Sequence, residues 1–287
     1  MAKLKNNKRR RKDGSWDPLK NSSTDRQQAA AVPSTPQTQS PTYRLAYADV
    51  DFLCREDMRP VRFQLELLKP ELILTERGIK STIVMFGGAR IPAPGADAWA
   101  AKNDIQRKNL EAASIYYDEA RKFAQLCSHH AAKFNYQEYV VVTGGGPGVM
   151  EAGNRGAAEV GAPTVGLNIV LPHEQAPNEY VTPDLSFNFH YFAIRKMHFM
   201  MRAKAFVVFP GGFGTLDELF EALTLIQTQR MEPVPVILFG KEFWHSIINL
   251  EALANFGTIS PEDVDLLHFC DTADEAWKVI ETFYEGA

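Results

Sequence analysis

At 287 residues the chain can hold one large α/β domain or two small ones, and 45% hydrophobic with 23% charged residues is ordinary globular composition. No apolar run is long enough to cross a bilayer, and no apolar segment follows the basic N-terminus, which argues against a signal peptide. Three scattered cysteines (Cys54, Cys127, Cys270) argue against a disulfide framework and for a reducing, cytoplasmic setting. The net charge of −4 conceals a balance of +6 over residues 1–20, which leaves −10 for residues 41–287. The basic run from Lys8 to Lys12 is therefore read as a solvated tail. The acidic body is a poor platform for nucleic acid, and neither nucleic acid nor a membrane is expected as a partner.

Residues 1–42 are rich in Lys, Arg, Ser, Thr, Gln and Pro, so they bury too little apolar surface to offset ordering entropy, and disorder is expected. From Ala46 to Lys80 the apolar positions Phe63, Leu65, Leu67, Leu68, Leu72 and Ile73 predict one or two helices, interrupted near Pro60 and Pro70. Residues 43–80 are thus expected as a helical N-terminal extension packed on the main domain.

Strands are predicted at Thr82–Phe86, Tyr139–Thr143, Thr164–Ile169, Ala205–Phe209 and Val234–Phe239. Between them fall helices at Glu111–Phe134, Val149–Val160, Phe192–Arg202, Leu216–Gln229 and Phe243–Leu253, with a closing helix over Asp271–Tyr284 capped by Thr272 or Asp271. This alternation predicts a Rossmann-like nucleotide-binding domain over residues 81–287, an α/β doubly wound parallel sheet with helices on both faces. In such a sheet, ligands bind beyond the carboxyl ends of the strands, where the strand order reverses.

Three glycine-rich loops follow predicted strands. In the first, Gly87 and Gly88 precede Arg90, which is placed to contact an anion or simply to lie in a tight connection. The second, Gly144-Gly145-Gly146-Pro147-Gly148, opens a helix and so brings free N–H groups to one point, a cradle for phosphate or ribose. It departs from the dinucleotide fingerprint, because Val149 stands where the third small residue belongs and no acidic residue ends the next strand.

The third loop carries the strongest signal. Pro210-Gly211-Gly212-Phe213-Gly214-Thr215 lies between a buried strand and a helix, so its glycines leave room for an oxyanion and Thr215 adds a hydroxyl. Asp217, Glu218 and Glu221 follow within two turns. Acids near a helix N-terminus are favourable against the dipole, yet three of them beside an anion site would repel it, so at least one should contact hydroxyls or cationic charge. Upstream, Arg195 and Lys196 supply cations among Met197, Phe199, Met200 and Met201. No metal is implied, since the seven histidines show no ligand spacing, and no Ser or Cys nucleophile motif appears.

The pair Arg195-Lys196 with Pro210 to Glu218 resembles the P-G-G-x-G-T-x-x-E signature, with its upstream Arg-Lys, of the LONELY GUY (LOG) type nucleoside 5′-monophosphate phosphoribohydrolases, long labelled lysine decarboxylases. The Gly144–Gly148 loop resembles the family's other glycine loop, and Asp217 with Leu219 to Thr224 and Gln227 resembles its bacterial branch. The chain departs from the plant-type pattern at Phe192-Ala193-Ile194, where Met-His-Glu is usual, and in residues 1–80, which are extra.

The resemblance implies hydrolysis of an N-glycosidic bond in a purine nucleoside 5′-monophosphate, AMP or a cytokinin riboside monophosphate, without a cofactor. It implies Arg195 and Glu218 as catalytic residues. Gly144, Gly145, Gly146, Gly148, Glu174, Lys196, Gly211, Gly212, Gly214, Thr215, Asp217, Thr224 and Arg90 would bind substrate or phosphate. It also implies a homodimer or higher homo-oligomer. A non-catalytic nucleotide or molybdenum-cofactor carrier on the same fold is the alternative. A decarboxylase would need a recognisable pyridoxal lysine, which the sequence does not offer.

Overall fold

The computed structural model describes residue 19, residues 21–172 and residues 176–285. The chain divides into two compact units, Met1–Gln64 and Leu65–Ala287.

The described part of the first unit is a series of short helices, α1 (Ser22–Ala30), α2 (Pro36–Gln39) and α3 (Val50–Leu53), with 3-10 turns at Pro41–Tyr43, Ala46–Ala48 and Glu56–Met58. The helix α1 lies in the stretch read as disordered; Asn21 caps it, and none of its residues is buried. Local polar bonds hold these helices. Thr35 and Thr38 form a capping box, and Asp49 accepts from Phe52 N. The basic run from Lys8 to Lys12 lies outside the described residues.

Helix α4 (Arg59–Glu76) runs through Pro70 without the interruption the sequence reading expected. Pro60 sits in its first turn, where a missing N–H breaks no helical bond. Pro70 lacks the N–H that would reach the carbonyl of Glu66, and His198 Nε2 takes that place at 3.1 Å. A side chain from elsewhere in the fold thus makes an internal proline tolerable.

The second unit continues with β1 (Thr82–Phe86), α5 (Asp104–Ala112), α6 (Ile115–Ala132), β2 (Val140–Thr143), α7 (Val149–Glu159), β3 (Thr164–Ile169), β4 (Ser186–Phe189) and α8 (Phe192–Met201). It closes with β5 (Ala203–Val208), α9 (Phe213–Gln227), β6 (Val236–Phe239), α10 (Lys241–Ile247), α11 (Leu250–Asn255), β7 (Leu267–Cys270) and α12 (Ala273–Glu285). Among the described residues all seven strands are parallel, in the order β4-β3-β2-β1-β5-β6-β7. Each face of the sheet has its own core. Ile83, Met85, Val141, Val207 and Ile237 pack with Tyr117, Phe123 and Trp277 of α6 and α12. Val84, Phe86, Val142, Phe206 and Val208 pack with Phe199, Leu219 and Trp244 of α8, α9 and α10. This is the doubly wound α/β sheet the alternation predicted.

Two expected helices differ in the structure. Helix α5 starts at Asp104, ahead of the helix expected from Glu111, and Ala113 and Ser114 separate it from α6; Ile248 and Asn249 separate α10 from α11, where Asn249 accepts from Ala252 N to start the second helix. At the start of α12, the hydroxyl of Thr272 accepts from Glu275 N at 3.2 Å, so Thr272 is its cap.

The strand order reverses between β1 and β5, so the crevice expected to receive ligands opens at their carboxyl ends. Backbone bonds tie the glycine loops together there. Gly88 N donates to Pro210 O at 2.9 Å, and Val149 N donates to Gly88 O at 3.3 Å.

Candidate active site

Arg195 lies in the first turn of α8 and is 7% exposed. Its Nε donates to Leu167 O in β3 at 2.6 Å, its Nη1 donates to Glu218 Oε1 at 3.2 Å, and its guanidinium lies 5.1 Å from the Phe199 ring centre. A buried guanidinium needs such partners, because an unpaired charge in the interior is strongly unfavourable. Glu218 sits on α9, one turn beyond the loop, and is itself largely buried. Burial pushes its carboxyl up to about 7; Arg195 and Lys196 pull it down, while Asp217 and Glu221 push it further up. A carboxyl that titrates near neutrality in a strand-end crevice is a candidate for proton transfer or for stabilising positive charge.

Lys196 points to the rim. Its Nζ lies 3.1 Å from Asp217 Oδ2 and 3.0 Å from Glu221 Oε2. Burial, the largest influence, lowers the ammonium, but the hydrogen bonds to Glu221 and Asp217 outweigh it and leave it raised. Two adjacent cations therefore serve three carboxylates: Arg195 the buried Glu218, and Lys196 the exposed Asp217 and the half-buried Glu221.

The glycine loops frame this group. In the loop from β5 to α9, nothing lies within 4 Å of a Cβ built on Gly212 or Gly214, so open space adjoins the backbone at the start of α9. Thr215 is buried, and its hydroxyl faces Gly211. In the loop from β2 to α7, a Cβ on Gly144 would come within 2.5 Å of Arg195 Nη2, so this glycine makes room for the guanidinium. Gly148 adopts φ 69° directly against the carbonyl of Gly88.

A polar network holds the second loop. Thr143 Oγ1 donates to Asn154 Oδ1 at 2.7 Å, and Gly145 N donates to Thr143 Oγ1 at 2.9 Å. Asn178 Nδ2 reaches Gly145 O, Gly146 O and Asn154 Oδ1 at 3.1, 3.0 and 2.8 Å. Sequence reading missed Asn154 and Asn178, whose partners in the bonds just described lie 11 to 33 positions away.

The remaining candidates stand apart. Arg90 is exposed in the turn after β1. Thr224 is exposed on α9 and donates its hydroxyl to Phe220 O at 2.7 Å, a bond within its own helix. Glu174 lies outside the described residues. Among the described residues no His, Cys, Asp and Glu cluster could hold a metal ion, and no helix is long and apolar enough to cross a membrane.

Residues 150–280 match the family model described as "Possible lysine decarboxylase", a span that includes Arg195, Lys196 and the loop through Glu218. The cytokinin riboside 5′-monophosphate phosphoribohydrolase LOG3 of Arabidopsis thaliana is 29% identical over 90 residues, 31% of this chain and 42% of that protein. Both matches agree with the resemblance to the LOG-type family, over less than half of the chain. The aligned part thus spans less than half of that relative's length. Among solved structures, the molybdenum cofactor binding protein of Rippkaea orientalis is 20% identical, with 71% of this chain and 98% of that one aligned at a TM-score of 0.45. The Moco carrier protein of Chlamydomonas reinhardtii is 19% identical, with 72% and 99% aligned at a TM-score of 0.44.

Proposed function

We propose that this protein hydrolyses the N-glycosidic bond of a purine nucleoside 5′-monophosphate, AMP or a cytokinin riboside monophosphate, to free base and ribose 5-phosphate. The observation that carries the reading is the buried Arg195–Glu218 pair at 3.2 Å, one helical turn from the open backbone at Gly212 and Gly214. The N-terminus of α9 offers N–H groups to the 5′-phosphate. In the reaction the C1′–N bond breaks with its electron pair on the base. Water adds at C1′, and one of its protons ends on the base. Positive charge develops on the ribose as the bond opens, and an ionised Glu218 stabilises it and orients the water. Arg195 fixes the nucleotide and assists the departing base, and Lys196 supports the rim. Because Glu218 acts ionised, turnover should rise as pH rises through about 7.

The test is to incubate the purified protein with a panel of nucleoside monophosphates and to separate the products by chromatography. Release of adenine or a related purine supports the reading. Tight binding with no base released from any member would favour a carrier instead. Pairing of two copies is part of the proposal: α8 exposes Phe192, Met197 and Met201, and α9 exposes Phe213 and Phe220. Light scattering would read the oligomeric state.

A further inference from the structure

Three contacts that tie α4 to α8 and the two residues before it converge on one residue. The carboxylate of Glu66 accepts from His190 N at 2.9 Å through Oε1 and from Tyr191 N at 3.1 Å through Oε2. Its backbone carbonyl, freed by Pro70, is met by His198 Nε2 at 3.1 Å. Tyr191 is the N-cap position of α8, and Glu66 accepts the backbone N–H groups of Tyr191 and of His190 before it from 125 and 124 positions away. A carboxylate there is also favourable against the helix dipole. One turn further along the same helix stand Arg195 and Lys196.

At the far end of α8, Arg202 Nη1 donates to both oxygens of Glu71, at 2.5 and 2.6 Å. Arg202 Nη2 donates to Thr75 Oγ1 at 2.9 Å, and its Nε donates to Ile79 O at 3.1 Å. The arginine end is therefore held through three groups of α4 and the chain after it, whereas at the N-terminal end Glu66 takes both backbone N–H groups of His190 and Tyr191.

We infer that Glu66 is a positioning residue: it fixes the first turn of α8 and so sets where Arg195 meets Glu218. It lies before residues 150–280, outside the span that matches the family model. The inference rests on the catalytic reading above, because it assigns Glu66 a role in that same site.

The charged groups around Glu218 are Arg195 and Lys196 from α8 and Asp217 and Glu221 from α9. Glu66 itself is met by the backbone N–H groups of His190 and Tyr191 and, at its carbonyl, by the His198 ring. The test compares Glu66→Gln, Glu66→Asp and Glu71→Gln. The titration of Glu218 is followed by carbon-13 NMR of labelled glutamate carboxyls, with its signal assigned through Glu218→Gln; turnover of AMP is measured alongside.

If Glu66 positions Arg195, Glu66→Gln lowers kcat about tenfold and leaves KM within about twofold. It also moves the Glu218 midpoint upward, because the cation that holds it down has shifted. Glu66→Asp, which keeps the charge, restores most of the midpoint. Glu71→Gln lowers thermal stability but leaves the midpoint in place, since Arg202 keeps Thr75 and Ile79. A Glu218 midpoint unchanged in Glu66→Gln would overturn the inference, as would an equal shift in Glu71→Gln. The NMR titration needs no turnover, so failure of the hydrolase reading and failure of the positioning role remain distinguishable.

Discussion

The two glycine loops at the carboxyl end of the sheet look alike in sequence and differ in what surrounds them. In the Gly144–Gly148 loop the glycines are filled in by the protein: Arg195 abuts Gly144, and the carbonyl of Gly88 abuts Gly148. In the Pro210–Thr215 loop, Gly212 and Gly214 face nothing within 4 Å. The first loop uses glycine to bring a cation and two backbones together, while the second uses it to leave a surface open. A glycine count therefore does not locate a ligand; the space beside each glycine does.

The filled loop seats the arginine that faces Glu218, so the largest expected effect is on that carboxyl. Its proton is held up to about 7 in the folded chain, against an ordinary value of 4.5. The stabilisation this gives is fully present below pH 4.5 and is lost as pH rises through about 7. Between pH 5 and 8 the wild type should lose up to about 3 kcal/mol relative to Glu218→Gln, which has no such proton. Urea unfolding of both proteins across that range measures the difference, and parallel curves would contradict it.

Gly144→Ala comes next. Its Cβ displaces the Arg195 guanidinium, so base release should fall about 100-fold, while circular dichroism shows the fold retained. Gly148→Ala should act on stability instead. The positive φ and the facing carbonyl cost about 2 kcal/mol, which lowers Tm by about 4–8 °C. Gly214→Ala should leave Tm unchanged or slightly raised, since helix propensity favours alanine, yet weaken binding of ribose 5-phosphate about tenfold by calorimetry. Equal effects of Gly148→Ala and Gly214→Ala on stability would erase the contrast between the loops.

The same contrast of inside and outside explains what the sequence could convey about the fold. The five interior strands were legible because they are buried on both faces and read as continuous apolar runs, as in Val140 to Val142 or Ala205 to Val208. The two strands missed, β4 and β7, are the sheet edges. Ser186-Phe187-Asn188-Phe189 alternates apolar with polar residues over four positions, and Leu267 to Cys270 is equally short. Most of α5 escaped because none of its residues is buried, and Pro70 misled because its rescue by His198 lies far along the chain.

Of the site, sequence alone reached Arg195, Lys196, Asp217 and Glu218, because each stands in a short motif whose chemistry is local. The pairing of Arg195 with Glu218 rather than with the exposed acids could not be read from spacing, because it depends on how α8 and α9 meet. Asn154, Asn178 and Glu66 were invisible for the same reason: each acts on groups that the fold brings near from far along the chain. Thr224 carried a motif position, yet its hydroxyl is bonded within its own helix.

The most direct test compares wild type and Glu218→Gln at pH 8, with adenine and ribose 5-phosphate quantified from AMP. The account predicts equimolar products from the wild type and a loss of about 10³-fold or more in the variant, with its fold intact. Near-normal hydrolysis by Glu218→Gln would contradict the role assigned to that carboxylate.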